Sequence, residues 1–275
     1  LIVGRLIYVQ GFSGADHLSA AEHNRVRILP IPSNRGIIYD RNQEPLVGNT
    51  SSFSLTILPQ DLPRDPQERQ AVINKTGELS GVNAKDISAL IDEYKLYSYE
   101  ALEVATGIEY QNALRLIIDS AELPGIRVES TARRLYNPLA PNASTTPSSL
   151  SHVLGYVGKL SPEELEKRYA LGYIPTDTLG KAGIEKTYED FLRGHYGKQR
   201  VEVDAAGRKK LTLAQDPPSP GHHVVLGIDK LWQENLERIT SEVLQRKGLS
   251  RAAAVILNPK TGAINAMVSM PTYNN

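Results

Sequence analysis

Lys260-Thr261-Gly262 is the triplet in this 275-residue chain that most invites a catalytic reading. One class of serine acyl-transfer enzymes carries Lys-Thr-Gly on an active-site strand, beside a Ser-x-x-Lys nucleophile and a Ser-x-Asn element. Acylation needs a serine with a base in hydrogen-bond reach. Neither Ser-x-x-Lys nor Gly-x-Ser-x-Gly occurs in these residues. The setting Asn258-Pro-Lys-Thr-Gly-Ala263 reads better as a hairpin turn, with proline setting one angle and glycine supplying a positive φ. Lys75-Thr76-Gly77 repeats the triplet at the end of a helical pattern, so the match by itself carries little weight. The six histidines (His17, His23, His152, His195, His222 and His223) show no metal-ligand spacing. His222-His223 follows Pro220-Gly221 and reads as a turn or strand pair. Gly180-x-x-Gly183 ahead of a helix could cradle an anion, but it lacks the Gly-Lys-Ser/Thr of a phosphate loop and reads as a structural turn. No catalytic, cofactor-binding or metal-binding residue is assigned.

Arg35, Asp40 and Arg41 look structural rather than chemical. A guanidinium pairs bidentately with a carboxylate, and Gly36 allows close backbone approach. Glu185, on the helix that opens at Gly183, is a candidate partner for one of these arginines. A solvated charge cluster is the alternative. Lys and Arg (31) balance Asp and Glu (31), so the chain offers no electrostatic footprint for nucleic acid. Zero cysteines suit an oxidising compartment but also many cytosolic proteins. No complete membrane span is present, because one needs roughly 20 apolar residues. The opening Leu1-Ile-Val-Gly-Arg-Leu-Ile-Tyr-Val-Gln10 fits either the exit of a membrane helix or a buried amphipathic helix.

The elements that would position these residues can be read from the pattern. Residues 16–28 suggest a short helix ended by Pro30 and Pro32. Ile37–Tyr39 is a strand, Asp40–Gln43 a turn, and Pro45–Val47 the return. Phe53, Leu55 and Ile57 alternate with Ser54 and Thr56 as in a half-buried strand. Three helices follow: one capped by Asp65 with Pro66 first in line, one opened by Asn83 with Ile87, Leu90, Ile91 and Tyr94 on one face, and one carrying Tyr110, Leu114, Ile117 and Ile118. Residues 138–149, rich in Pro, Asn, Ser and Thr, read as a mobile surface loop. Ser161-Pro-Glu-Glu164 caps another helix. Gly180 to Arg208 reads as a glycine turn, an amphipathic helix stopped by Gly194, and an alternating strand closed by Ala205-Ala206-Gly207. Asp216–Gly221 is a linker by composition. Beyond it, Val224–Ile228 is a strand, and Asp229 caps a helix with Trp232, Leu236, Ile239 and Val243 at helical spacing. A hairpin of Ala252–Leu257 and Ala263–Ser269 ends the pattern.

Arg35-Gly-Ile-Ile-Tyr-Asp-Arg-Asn42 and Gly180-Lys-Ala-Gly-Ile-Glu185 resemble the non-catalytic half of class B penicillin-binding proteins, most closely the elongation-type members. The family's transpeptidase domain opens with a Leu-Thr-Ile-Asp strand, a helix carrying Gln, and a Pro-Lys-Thr-Gly hairpin. Leu226-Gly-Ile-Asp229, Gln233 and Asn258-Pro-Lys-Thr-Gly262 are similar to that opening, with Gly227 in place of threonine. Gln43 stands where the family has glycine, which puts the tight turn there in doubt.

The resemblance implies an α+β fold, with a long β-rich pedestal and an inserted helical head, followed by the first helix and hairpin of the transpeptidase. It implies boundaries at 1–30 (membrane-helix end and juxtamembrane segment), 31–58 and 136–215 (pedestal), 59–135 (head) and 216–275 (linker and incomplete transpeptidase). It further implies a scaffold that docks a membrane glycosyltransferase of the shape, elongation and division class and elongation-complex proteins. The chain would be anchored by one N-terminal helix with its bulk on the extracytoplasmic face, near peptidoglycan, and self-association is open. Arg35, Gly36, Asp40, Arg41, Gly180, Gly183, Ile184, Glu185, Gly194, Gly207 and Arg208 are the expected structural and interface residues. Ile184, Tyr188 and Leu192 should pack on the sheet of Ile37 and Tyr39, and strand 52–57 should lie near 152–158 and 200–204. A free-standing cell-surface interaction module and an atypical hydrolase are the rival readings.

Overall fold

The computed structural model describes residues 26–97, 100–108, 110–120, 123–136, 150–203 and 209–273. The expectations for residues 1–25, for the loop at 138–149, and for Gly207 and Arg208 lie outside the described residues.

The architecture is α+β and is organised by one long strand, β3 (Pro45–Ile57). The sequence pattern suggested two short strands there, but the thirteen residues run without a break. One edge of β3 pairs antiparallel with β5 (Ile126–Tyr136) over eleven positions, from Val47↔Tyr136 to Ile57↔Ile126. The other edge takes β2 (Ile38–Tyr39) at its start and β4 (Leu102–Ile108) at its end. β10 (Val224–Val225) adds to β2 in parallel, shorter than the expected 224–228 strand. The pairing Ile57↔Ile126 brings together the two ends of the segment that carries the three helices.

Those helices are α1 (Pro66–Ser80), α2 (Ala84–Glu93) and α3 (Tyr110–Ser120). The caps are those read from the residues. Asp65 accepts from the amides of Gln67 and Glu68, and Asn83 accepts from Lys85. Ile87, Ile91 and Tyr94 join Leu55 and Ile57 in one core, together with Leu160, Leu165, Tyr173 and Leu179. β4 lies among the helices and was not anticipated. Leu102-Glu-Val104 alternates, but Gly107, at φ 72°, breaks the period.

Ser54 and Thr56 are buried like their apolar neighbours, so β3 is covered on both faces. The register sets Glu129 beside Ser54 and Arg127 and Glu103 beside Thr56, and long side chains on one face shield their cross-strand neighbours. Ser54 donates to Glu103 Oε2 at 3.0 Å. α3 departs from expectation. Tyr110, Leu114, Ile117 and Ile118 are exposed, whereas Ala113, Leu116 and Ser120 are buried. Its inward face is narrow, and among the described residues its wide apolar face stays largely exposed, touched at one end where the Tyr110 ring meets Phe53.

Residues 26–31 form strand β1 (Val26–Ile31), not the end of a helix. Their partner is β8 (Gly197–Val203), which also pairs β9 (Lys209–Asp216) in a separate three-stranded sheet. Tertiary pairing therefore overrode the local helical pattern. It also means that β8 joins this sheet and not the one built on β3.

The remaining elements seat the candidate site. α4 (Ser151–Leu154) leads to β6 (Val157–Lys159), which pairs β7 (Thr178–Gly180). Between them stands α5 (Pro162–Arg168), which carries the capping box of Ser161 and Glu164. The expected single helix at 183–194 is two short ones, α6 (Gly183–Thr187) and α7 (Glu189–Leu192), parted at Tyr188. The stretch 217–221 is seated rather than loose. His195 and Ser219 exchange backbone hydrogen bonds at 2.8 and 3.0 Å, and Gly221 donates to Asn34 O at 2.9 Å. α8 (Lys230–Lys247) and the hairpin β11 (Ala252–Leu257)–β12 (Ile264–Met270) close the chain. Lys260-Thr261-Gly262 forms the hairpin loop, with Gly262 at φ 71°.

Candidate functional site

Two arginines and two glutamates from three distant parts of the chain meet in a buried knot. Glu185 (α6) is fully buried. Its Oε2 accepts from Arg35 Nε at 2.6 Å, and its Oε1 accepts from Arg134 Nε at 2.7 Å. Glu189 (α7), one helical turn on, takes Arg35 Nη2 at 2.6 Å, the Tyr173 hydroxyl at 3.0 Å and the Gly180 amide at 2.9 Å. Arg134 Nη1 also donates to Gly36 O at 2.8 Å and to Asn49 Oδ1 at 3.0 Å, and Asn49 Nδ2 returns a bond to Arg35 O at 2.7 Å. The charges cancel, two against two, as burial requires. Burial pushes the Arg134 guanidinium down and the Tyr173 hydroxyl up to about 12, with Glu189 adding to the second effect. Burial likewise raises Tyr136, whose oxygen accepts from the Val157 amide.

Glycines make the knot geometrically feasible. A Cβ on Gly36 would meet His222 O, one on Gly180 would meet Glu185 O, and one on Gly194 would meet Ser33 and Ser219. Gly183, at φ 58°, sits where a Cβ would strike the backbone of Val153–Gly155. These are close backbone approaches within the fold. Among the described residues no group of three or more His, Cys, Asp and Glu could hold a metal ion.

Asp40 and Arg41 lie elsewhere, at the seam with α8. Asp40 is fully buried. Its Oδ1 accepts from the amides of Asn42 (2.7 Å) and Glu44 (2.8 Å), which closes the turn. Its Oδ2 accepts from the amide of Lys230, the first residue of α8, at 3.1 Å. Arg41 donates its backbone amide to Ile228 O at 2.8 Å and its Nη1 to Asn265 Oδ1 at 3.2 Å. Asn42 Nδ2 reaches Asp229 Oδ2 at 3.1 Å. Gln43 holds φ 64°, the only positive φ at a non-glycine among the described residues, so the turn is kept where the substitution had put it in doubt. A second contact ties the end of the chain to α4: Tyr273 OH donates to Ser151 O at 2.7 Å, and the Tyr273 ring meets His152 edge-on at 5.0 Å.

Arg35 thus meets the anticipated Glu185, while Arg41 pairs with Asn265 and, among the described residues, with no carboxylate. Leu192 is buried and Ile184 half-buried beside Ile38, but Tyr188 is 40% exposed. The reason is that the carboxylate face, Glu185 and Glu189, turns inward and rotates Tyr188 out. Arg134, Glu189, Asn49 and Tyr173 were missed. Glu189 had a signal in its four-residue spacing from Glu185. Nothing local separates Arg134 from Arg133; only strand parity in β5 does so.

The penicillin-binding protein dimerisation domain profile matches residues 30–226, which contain the whole knot and the Asp40 turn. The chain belongs to this dimerisation domain family. It is 31% identical over its full length to the peptidoglycan D,D-transpeptidase MrdA of Escherichia coli (strain K12), of which it spans 41%. It is 30% identical over 92% of its length to penicillin-binding protein 3 of Bacillus subtilis, spanning 34% of that protein. A solved complex between penicillin-binding protein PBP2 and MreC from Helicobacter pylori shares the fold, with TM-score 0.66 and 24% identity over 90% of this chain and 44% of that one. The class B, elongation-type assignment read from the dimerisation-family motifs therefore stands.

Proposed function

We propose that this chain is the non-catalytic pedestal of a class B penicillin-binding protein, holding a serine D,D-transpeptidase in place during peptidoglycan synthesis. The observation that carries this reading is the seam at Asp40. The segment that starts in the buried knot at Arg35 ends by binding the first amide of α8, so the helix that would open the transpeptidase leaves the pedestal in a set direction. The expected division into pedestal (31–58 and 136–215), head (59–135) and transpeptidase start (216–275) is part of the proposal. So are an N-terminal membrane anchor and an extracytoplasmic location.

Exposed apolar surface indicates where partners belong. Trp232, Ile239 and Val243 on α8 and Val255 and Leu257 on β11 are exposed, and they suit cover by further strands and helices of a transpeptidase domain. The largely exposed face of α3 (Tyr110, Leu114, Ile117 and Ile118) suits an elongation-complex protein of the MreC kind, with the membrane glycosyltransferase as a second partner. An amphipathic helix that leaves its apolar side in water is a recurrent docking element.

The test is covalent labelling with a fluorescent penicillin. The full-length protein should form a denaturation-resistant adduct, and the 275-residue chain should form none, for want of a nucleophile–base pair. An adduct on the short chain, or none on the full-length protein, would overturn the reading. For docking, Leu114→Asp with Ile118→Asp should weaken capture of the cognate MreC-like protein by about tenfold or more without lowering the melting temperature.

A further inference from the structure

We infer that Asp40 is a positioning residue, which sets the angle between the pedestal and the transpeptidase by capping α8 across the domain seam. The inference rests on the pedestal reading above and adds to it a residue and a mechanism.

A helix begins with amides that have no partner in the helix itself. α8 satisfies two of its amides locally, because Asp229 Oδ1 accepts from Leu231 and Trp232 at 3.1 and 3.2 Å. The first amide, Lys230, is left to a residue 190 positions earlier in the chain, Asp40 Oδ2. A carboxylate at that end also favours the helix dipole. Such a cap does more than stabilise a helix. Its acceptor is rigid, because the same carboxylate closes the 40–44 turn with its other oxygen, and Asp40 N and Gln43 N complete that turn with bonds to Glu44 O and Asp40 O at 2.8 and 3.1 Å. The turn continues β2, and a few residues earlier the same segment is clamped in the charge knot through Arg35. The joint is flanked by Arg41 N to Ile228 O and Asp229 N to Asn265 O, both 2.8 Å. The first amide of α8 is therefore held by a buried carboxylate that belongs to the pedestal, and the contacts of Arg41 and Asn42 and the Lys230–Glu44 pair flank that cap on the same seam.

Substitution chemistry separates this role from simple support of the turn. In Asp40→Asn, Oδ1 can keep the Asn42 and Glu44 amides, but the new Nδ2 faces the Lys230 amide, donor against donor. Lys230→Pro removes that amide at the first helical position, which proline tolerates. If the cross-seam bond matters, the damage done by Asp40→Asn should shrink in the Lys230→Pro background.

The experiment uses the full-length protein with spin labels at Lys75→Cys in α1 and Glu242→Cys in α8, two exposed sites in a stretch without native cysteine. With Asp40 intact, the inter-label distances should form one narrow distribution. Asp40→Asn should widen it about twofold or more, and adding Lys230→Pro should remove at least about half of the widening. In parallel, glycan crosslinking by Asp40→Asn should fall about fivefold or more while penicillin acylation stays within about twofold. An unchanged distribution in Asp40→Asn would overturn the inference. So would equal widening with and without Lys230→Pro, which would mean that only the turn had been damaged. If the wild-type protein takes no penicillin, the transpeptidase reading fails, and the distance measurement still judges the joint by itself.

Discussion

Replacing Glu185 with Gln keeps the volume of the buried knot and removes its central charge. Glu185 is fully buried and accepts from Arg35 Nε at 2.6 Å and Arg134 Nε at 2.7 Å. Hydrogen bonds to charged groups contribute about 1.5–3 kcal/mol each. The glutamine carbonyl can keep one of the two, but its amino group must face the other guanidinium. Arg134 would then be buried, only 4% exposed at its side chain, without a counter-ion. Removing one partner of a buried ion pair costs about 3–5 kcal/mol, a large share of the roughly 5–15 kcal/mol that holds a domain. For a chain of this size that corresponds to a fall in melting temperature of about 6–20 °C. Far-UV circular dichroism would follow the whole fold, while the single Trp232 reports on the α8 end of the molecule. Glu242→Gln, which breaks an exposed i,i+4 pair with Arg238, is the control and should move the transition little. A melting temperature for Glu185→Gln within about 2 °C of wild type would refute the reasoning, because it would mean that water reaches the knot and replaces the lost acceptor.

Three further outcomes follow from the geometry. Ile184→Asp puts a charge on a half-buried position beside Ile38 and Leu192 and should cost about 2 kcal/mol in thermal or urea unfolding, whereas Lys75→Ala should cost almost none. Gln43→Gly removes a Cβ held at φ 64°; the relief, about 1–2 kcal/mol less the extra unfolded-state freedom of glycine, should leave a gain of about 0.5 kcal/mol, and Gln43→Ala should show none. Burial raises Tyr136, Tyr173 and Tyr196 above their ordinary value of 10.0, Tyr173 to about 12. Each contribution is complete below 10.0; that of Tyr173 is lost as pH climbs through about 12, and those of Tyr136 and Tyr196, raised further, go at higher pH still. Tyrosinate absorbance should rise together with loss of ellipticity, and ionisation that ran well ahead of unfolding would show that these rings are open to solvent.

Much of the local structure was legible because it depends on neighbours in sequence. Asp65, Asn83, Ser161 and Asp229 cap the helices that follow them because a short polar side chain can reach amides two or three residues on. The Asn258–Gly262 loop turns because its own proline and glycine set the angles. The family motifs could be recognised for a related reason, since Gly36, Gly180 and Gly183 mark points where backbone must touch backbone and no other residue fits.

Tertiary structure decided what those local rules leave open. Val26–Ile31 became a strand because β8 offered it a ladder, and Leu102–Ile108 did so along the free edge of β3. The apolar faces of α3 and α8 looked like core faces in sequence, yet Ile118 and Trp232 are exposed. Periodicity reports that a helix has an apolar side, not that the fold covers it. The knot shows the same division. Arg35 and Glu185 stood out from their motifs, but Arg134 was drawn in by the parity of an eleven-residue strand pairing. The desolvation that makes all three matter exists only once three distant segments have closed around them.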